Sequence, residues 1–131
     1  MALKTLAELG FNGAMVSPEL GRDDVLDLPD KSPLPLGIVV SGHWPLCVSR
    51  VVSGDIKTKA PFTSPRGEQG WTVQYDADYW VFPNWPIDLI KETKGLERAG
   101  YKLFVNLVEP LPRGVKLKKR PGQWNWRIGL K

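Results

Sequence analysis

LGIVVSG, residues 36–42, runs without polar alternation until Ser41 and carries no charge. A strand with one wet face alternates apolar and polar side chains, so an unbroken β-branched run reads as a strand covered on both faces. Two further segments fit the same description. GAMVSPE, residues 13–19, is a short buried-type strand that ends on Ser17, Pro18 and Glu19, and YKLFVNLVEP, residues 101–110, is a third that ends on Glu109.

The intervening segments suit helices. Leu3, Leu6, Ala7 and Leu9 recur at near-helical spacing over residues 2–9, with Gly10 as the C-cap. Residues 21–28 form a second helix with Asp23 and Asp24 favourably placed in its first turn, and Pro29, Pro33 and Pro35 then impose an irregular connection. A third helix starts at Pro86 and runs to about Ala99, with Ile87, Leu89, Ile90, Leu96 and Ala99 as its apolar positions and Gly100 as its stop. Strands alternating with helices imply parallel pairing and right-handed crossovers. Between the second strand and the third helix, residues 53–70 read as a long loop, and WTVQYDADYWVFP as a hairpin of residues 71–75 and 79–83 turning at Asp76-Ala77-Asp78. The six tryptophans and their neighbours read as core or interface filling.

The fold class is therefore α/β: a partial (β/α) barrel-like parallel sheet over 1–112 with an inserted β-hairpin, and a basic, tryptophan-containing C-terminal strap over 113–131. A complete eight-unit barrel needs about 250 residues. A chain of 131 residues supplies the last part of one, completed by a further barrel segment or by a second copy in a homodimer.

Composition removes several function classes. There is no apolar run of the roughly 20 residues a membrane-spanning helix needs, and the opening MALKTLAELGF lacks the apolar block and cleavage site of a secretory signal; a cytoplasmic protein without membrane contact is expected. One cysteine and one histidine exclude an internal disulfide and a four-ligand zinc or iron–sulfur centre within this chain. No glycine-rich phosphate loop, GxSxG elbow, HExxH helix or paired CxxC occurs. The net charge of +4 conceals an asymmetry, because Arg113, Lys116, Lys118, Lys119, Arg120, Arg127 and Lys131 close the chain with no acid among them.

Three candidate sites emerge. Glu19, His43 and Glu109 each lie just beyond the end of a different expected parallel strand, where a barrel gathers its functional groups; two carboxylates and an imidazole suit acid–base catalysis or a divalent metal. The plainer alternative has Glu19 and Glu109 capping loops or pairing with Arg22 and Arg113. His43 and Cys47 could form a base and nucleophile only if a sharp turn at Pro45 shortens the roughly 13 Å that separates positions four apart on a strand; otherwise Cys47 is a small buried apolar residue and His43 a partly exposed strand end. In the tail, Lys116, Lys118, Lys119, Arg120, Trp124 and Trp126 combine cations with aromatic rings, as RNA binding requires. They equally describe a strap whose tryptophans dock while the lysines stay solvated.

Three stretches, GFNGAMVSPELGRDDVLDL, GIVVSGHWPLCVSR and WVFPNWPIDLIKETKGLERAGYKLFVNLVEPLP, resemble in order the closing half of the collagenase-like peptidase family U32: a "SPEL" strand end, a "(H/Y)G-x-x-P-L-M-x-S" strand, a hairpin, an "N-x-x-(P)-x-D-L" helix start and an "x-A-G" turn. The resemblance covers about residues 5–112. It implies a barrel-like fold and peptidase-like hydrolysis, and points to relatives that hydroxylate RNA bases or quinone precursors on a four-cysteine iron–sulfur cluster. Here Arg50, Val51 and Val52 stand near the expected cysteine positions and Cys47 is alone, which disfavours the hydroxylase chemistry. The alternative to an enzyme is a noncatalytic module that binds RNA or a partner protein through the basic aromatic tail.

Overall fold

The computed structural model describes residues 2–119. In chain order its elements are α1 (Ala2–Glu8), β1 (Ala14–Val16), α2 (Arg22–Lys31), β2 (Leu36–Gly42), β3 (Cys47–Ser49), β4 (Pro61–Thr63), β5 (Gln69–Tyr75), β6 (Asp78–Pro83), β7 (Ile87–Asp88), a 3₁₀ turn (Ile90–Glu92), α3 (Thr93–Ala99) and β8 (Leu103–Asn106). Where the sequence suggests one body over 1–112, the chain divides into two units: residues 2–41 with 87–106, and residues 42–86 with 107–119.

The first unit is built on β2. Both β1 and β8 pair with it in parallel, placing Met15 and Leu103 on either side of Gly37, and β7 pairs with it as well. Leu36, Ile38, Val39 and Val40 are at most 4% exposed, and burying an aliphatic side chain this fully contributes about 1.5–3 kcal/mol. The flanking strands are less enclosed than their apolar composition suggests. Met15 is 47% and Leu103 55% exposed, because each flanks β2 with only part of its surface against the core. The helix expected from Pro86 begins late: Ile87 and Leu89 are buried while Asp88 between them is exposed, a two-residue period, and the Leu89 N–H donates to the Val40 carbonyl at 2.7 Å.

Helix α2 continues through Pro29 to Lys31, past the boundary its sequence suggests. A proline has no N–H for the carbonyl four residues earlier, here that of Val25. The Tyr101 hydroxyl donates to that carbonyl at 2.6 Å from a side chain only 1% exposed, so the bond the proline forfeits is replaced from outside the helix. Burial pushes the Tyr101 phenol up to about 12. Gly100 ends α3 in the left-handed region at φ +118, with its own N–H and that of Tyr101 donating to the Leu96 carbonyl. A Cβ at Gly100 would stand 2.9 Å from the Pro29 Cβ. The same glycine thus turns the chain, aims Tyr101 and leaves room for the proline.

In the second unit the expected hairpin is the centre of a four-stranded antiparallel sheet, in the order β3-β6-β5-β4. Its two added strands are short. β4 arises inside the stretch read as a loop, with Phe62 opposite Gly70, and β3 pairs Cys47 with Val81. The hairpin closes on the Tyr75–Asp78 pair, with Asp76 at φ +51, a conformation aspartate tolerates better than most residues. Trp71, Val73 and Phe82 form the core, flanked by Trp80 and Val115; Trp71 and Phe82, in register across the strands, stack at 5.4 Å.

Replacing Tyr101 by Phe should cost about 1–3 kcal/mol by orphaning the Val25 carbonyl. In a Pro29→Ala background the new N–H can claim that carbonyl, so Tyr101→Phe should then cost less, with a coupling of at least about 0.5 kcal/mol in urea unfolding; strict additivity would refute the replacement-bond account. Gly42 at φ +109 would place a Cβ 2.2 Å from the Leu107 carbonyl oxygen, whereas a Cβ at Gly95 meets nothing within 4 Å. Gly42→Ala should therefore destabilise by at least about 2 kcal/mol, and Gly95→Ala in α3 should stabilise by about 0.5–1 kcal/mol.

Candidate functional site

His43 follows directly on Gly42, whose left-handed backbone swings the chain out of β2. The imidazole is buried, 8% exposed, with its ring edge-on to Trp71 at 4.9 Å and an interplanar angle of 76°. Among the described residues its Nδ1 meets no hydrogen-bond partner, and neither do the buried Trp71 Nε1 and Thr72 Oγ1. Desolvation lowers the His43 pKa below 6.5, and the carboxylate of Glu109 opposes that shift without reversing it. His43 is accordingly neutral at pH 7, a proton acceptor.

Glu109 is half-buried, and its Oε1 accepts a hydrogen bond from the Tyr75 hydroxyl at 2.8 Å. Tyr75 stands at the end of β5 with its ring edge-on to Trp80 at 5.9 Å. Its phenol pKa is raised, first by this hydrogen bond to Glu109, then by desolvation and by the carboxylate's charge. The second unit therefore holds a buried imidazole, a carboxylate that acts on it electrostatically and a phenol hydrogen-bonded to that carboxylate.

The placement of the remaining candidates is mixed. Glu19, exposed, belongs to the first unit beyond the end of β1, where its N–H donates to the Ser17 hydroxyl at 3.2 Å; His43 and Glu109 both belong to the second unit. Among the described residues no group of three or more His, Cys, Asp or Glu side chains is placed to hold a metal ion, so Glu19, His43 and Glu109 are not assembled as a three-ligand divalent-metal site. The expected exposures of His43 and Cys47 are reversed: Cys47 is exposed on the edge strand β3 and His43 is enclosed. The glycine turn carries the histidine against Trp71, while the cysteine lands on a strand with neighbours on one side only.

Lys116, Lys118 and Lys119 are exposed, and Arg120, Trp124 and Trp126 lie outside the described residues. The segment bearing the lysines is tied to the sheet through its backbone. The Lys116 N–H donates to Gln69 Oε1 at 2.9 Å, the Lys116 carbonyl accepts from Asn84 Nδ2 at 2.9 Å, and the Lys118 N–H donates to the Asn84 carbonyl at 2.8 Å. Tyr75, Trp71, Gln69 and Asn84 escape a reading of the chain by motif. Only the shared strand face of Trp71, Val73 and Tyr75 hints at Tyr75, and nothing local announces a partner 34 positions away.

Compared with protein-family models, curated proteins and solved structures, the chain matches none. Among the described residues no helix is long and apolar enough to cross a membrane.

Because the native state resists protonating His43, the unfolded chain takes up its proton first as pH falls below 6.5. Stability due to this group is complete above that pH and is lost as pH drops toward the lowered native pKa. Thermal melts between pH 7.5 and 5 should show the decline, and His43→Leu should flatten it; parallel curves for the two proteins would contradict the burial account.

Proposed function

We propose that the chain is part of a U32-like, barrel-type hydrolase with peptidase-like chemistry, in which His43 is the general base and Glu109 its electrostatic partner. The observation that carries this reading is a histidine buried edge-on against Trp71, whose burial favours the neutral, proton-accepting form, with the tyrosine-held carboxylate of Glu109 acting on it electrostatically.

Hydrolysis needs little more. A water molecule gives a proton to the neutral imidazole as its oxygen attacks the substrate carbonyl, and the resulting imidazolium returns that proton to the leaving amine as the carbon–nitrogen bond breaks. The Glu109 carboxylate favours the imidazolium in the interval, and the Tyr75 hydroxyl limits the carboxylate's rotation. Support from the fold is directional. β1, β2 and β8 run parallel, and in sequence His43 comes next after β2 and Glu109 soon after β8; functional groups that follow strand ends are what a (β/α) barrel would lead one to expect.

The test is hydrolysis of labelled gelatin and of a mixed peptide library by the full chain. His43→Leu and Glu109→Gln should each lower the rate by about 100-fold or more, while His43→Leu keeps or raises the melting temperature at pH 7, since it removes a buried nitrogen that lacks a partner. Equal rates in wild type and both variants would end the proposal, and a His43→Leu protein with a sharply lower melting temperature would make the histidine structural.

A further inference from the structure

Residues 109–119 form a strap across the second unit with two fixed points. At the hairpin end of β5, Tyr75 holds Glu109; at the other end, Gln69 and Asn84 hold the backbone of Lys116 and Lys118. Between these points the strap turns at Arg113–Gly114, where Gly114 has φ +87 and the Val115 N–H donates to the Pro112 carbonyl at 3.4 Å. Its two fixed points thus lie at opposite ends of β5, with Val115 packed against the Trp71 cluster. Arg113, Lys116, Lys118 and Lys119 are exposed along it, and residues 110–119 contain no acid.

We propose that this strap docks an extended acidic peptide, so that the substrates of the His43–Glu109 site are peptides with carboxylates at alternate positions. The inference rests on the hydrolase reading for cleavage of the docked peptide, but not for docking itself. Lys116 and Lys118 are exposed and stand two residues apart on an anchored backbone, the same sequence interval as alternate carboxylates on a peptide. Because the backbone is already held, little chain entropy opposes binding.

Two other anionic partners fit less well. Single-stranded nucleic acid draws on bases stacked on exposed rings in addition to phosphate contacts. The rings beneath the strap, Trp71 and Phe82, are 0% and 3% exposed, and Tyr75, 45% exposed, stands at the Glu109 end of the strap, opposite the end that holds Lys116 and Lys118. A membrane surface calls for a continuous apolar face beside the cations, whereas the large apolar side chains exposed on the strap are Leu111 and Leu117, on either side of the Gly114 turn.

Fluorescence anisotropy of the full chain separates these partners, using a labelled peptide of alternating glutamate and alanine, its alternating lysine counterpart and single-stranded oligouridylate. The acidic peptide should bind, the lysine peptide should not, and the double variant Lys116→Glu, Lys118→Glu should weaken binding about tenfold. Binding unchanged by that reversal, or oligouridylate bound more tightly than the acidic peptide, would overturn the inference. His43→Leu should bind the acidic peptide like wild type. If binding behaves as expected and no hydrolysis occurs, the catalytic reading fails alone; if the charge-reversed protein cleaves acidic and neutral peptides with the same preference as wild type, docking fails alone.

Discussion

A proline inside a helix leaves one carbonyl without its donor, and the settlement of that debt organises the first unit. The Tyr101 hydroxyl reaches the Val25 carbonyl from the residue that follows the Gly100 turn, and Gly100 itself is the space into which Pro29 fits. One residue later the Lys102 N–H donates to the Leu36 carbonyl at 2.9 Å, which starts β8 beside β2. Three consecutive residues thus connect the end of one helix to the middle of another and to the central strand. The parallel pairing downstream inherits its position from this corner.

In the second unit the constraint is different. Its sheet is strictly antiparallel, and a packed aromatic pair, Trp71 on Phe82, takes the place of aliphatic layers. The indole that stabilises the sheet also walls in His43. Burial and chemistry are therefore joined in one side chain: the packing that strips most solvent from the imidazole is what lowers its pKa, and the glycine that turns the chain into that niche has no room for a side chain.

The direction of β1, β2 and β8 was legible because each is a compact apolar segment preceded by a connection too long for a hairpin, and LGIVVSG admits hardly any alternative. The start of the third helix was not, since Ile87 and Leu89 satisfy both a helical face and a two-residue alternation, and only the free edge of β2 decides between them. β4 escaped notice because three residues headed by a proline carry almost no periodic signal; its existence depends on Phe62 finding Gly70. Of the candidate site, the strand ends suggest one rim for Glu19, His43 and Glu109, whereas Glu19 belongs to the first unit and His43 and Glu109 to the second. The roles of Tyr75, Gln69 and Asn84 were not legible, because each acts on a segment more than thirty residues away through one or two polar contacts.

Gln69 and Asn84 grip main-chain atoms of the strap and ignore its side chains. Residues 116, 118 and 119 can consequently be rewritten without disturbing the mooring, in the way that an antibody framework tolerates new loop sequences. Such an arrangement separates what the domain must conserve to fold from what it can vary to choose a ligand, and it makes this short segment a natural place to graft a different specificity.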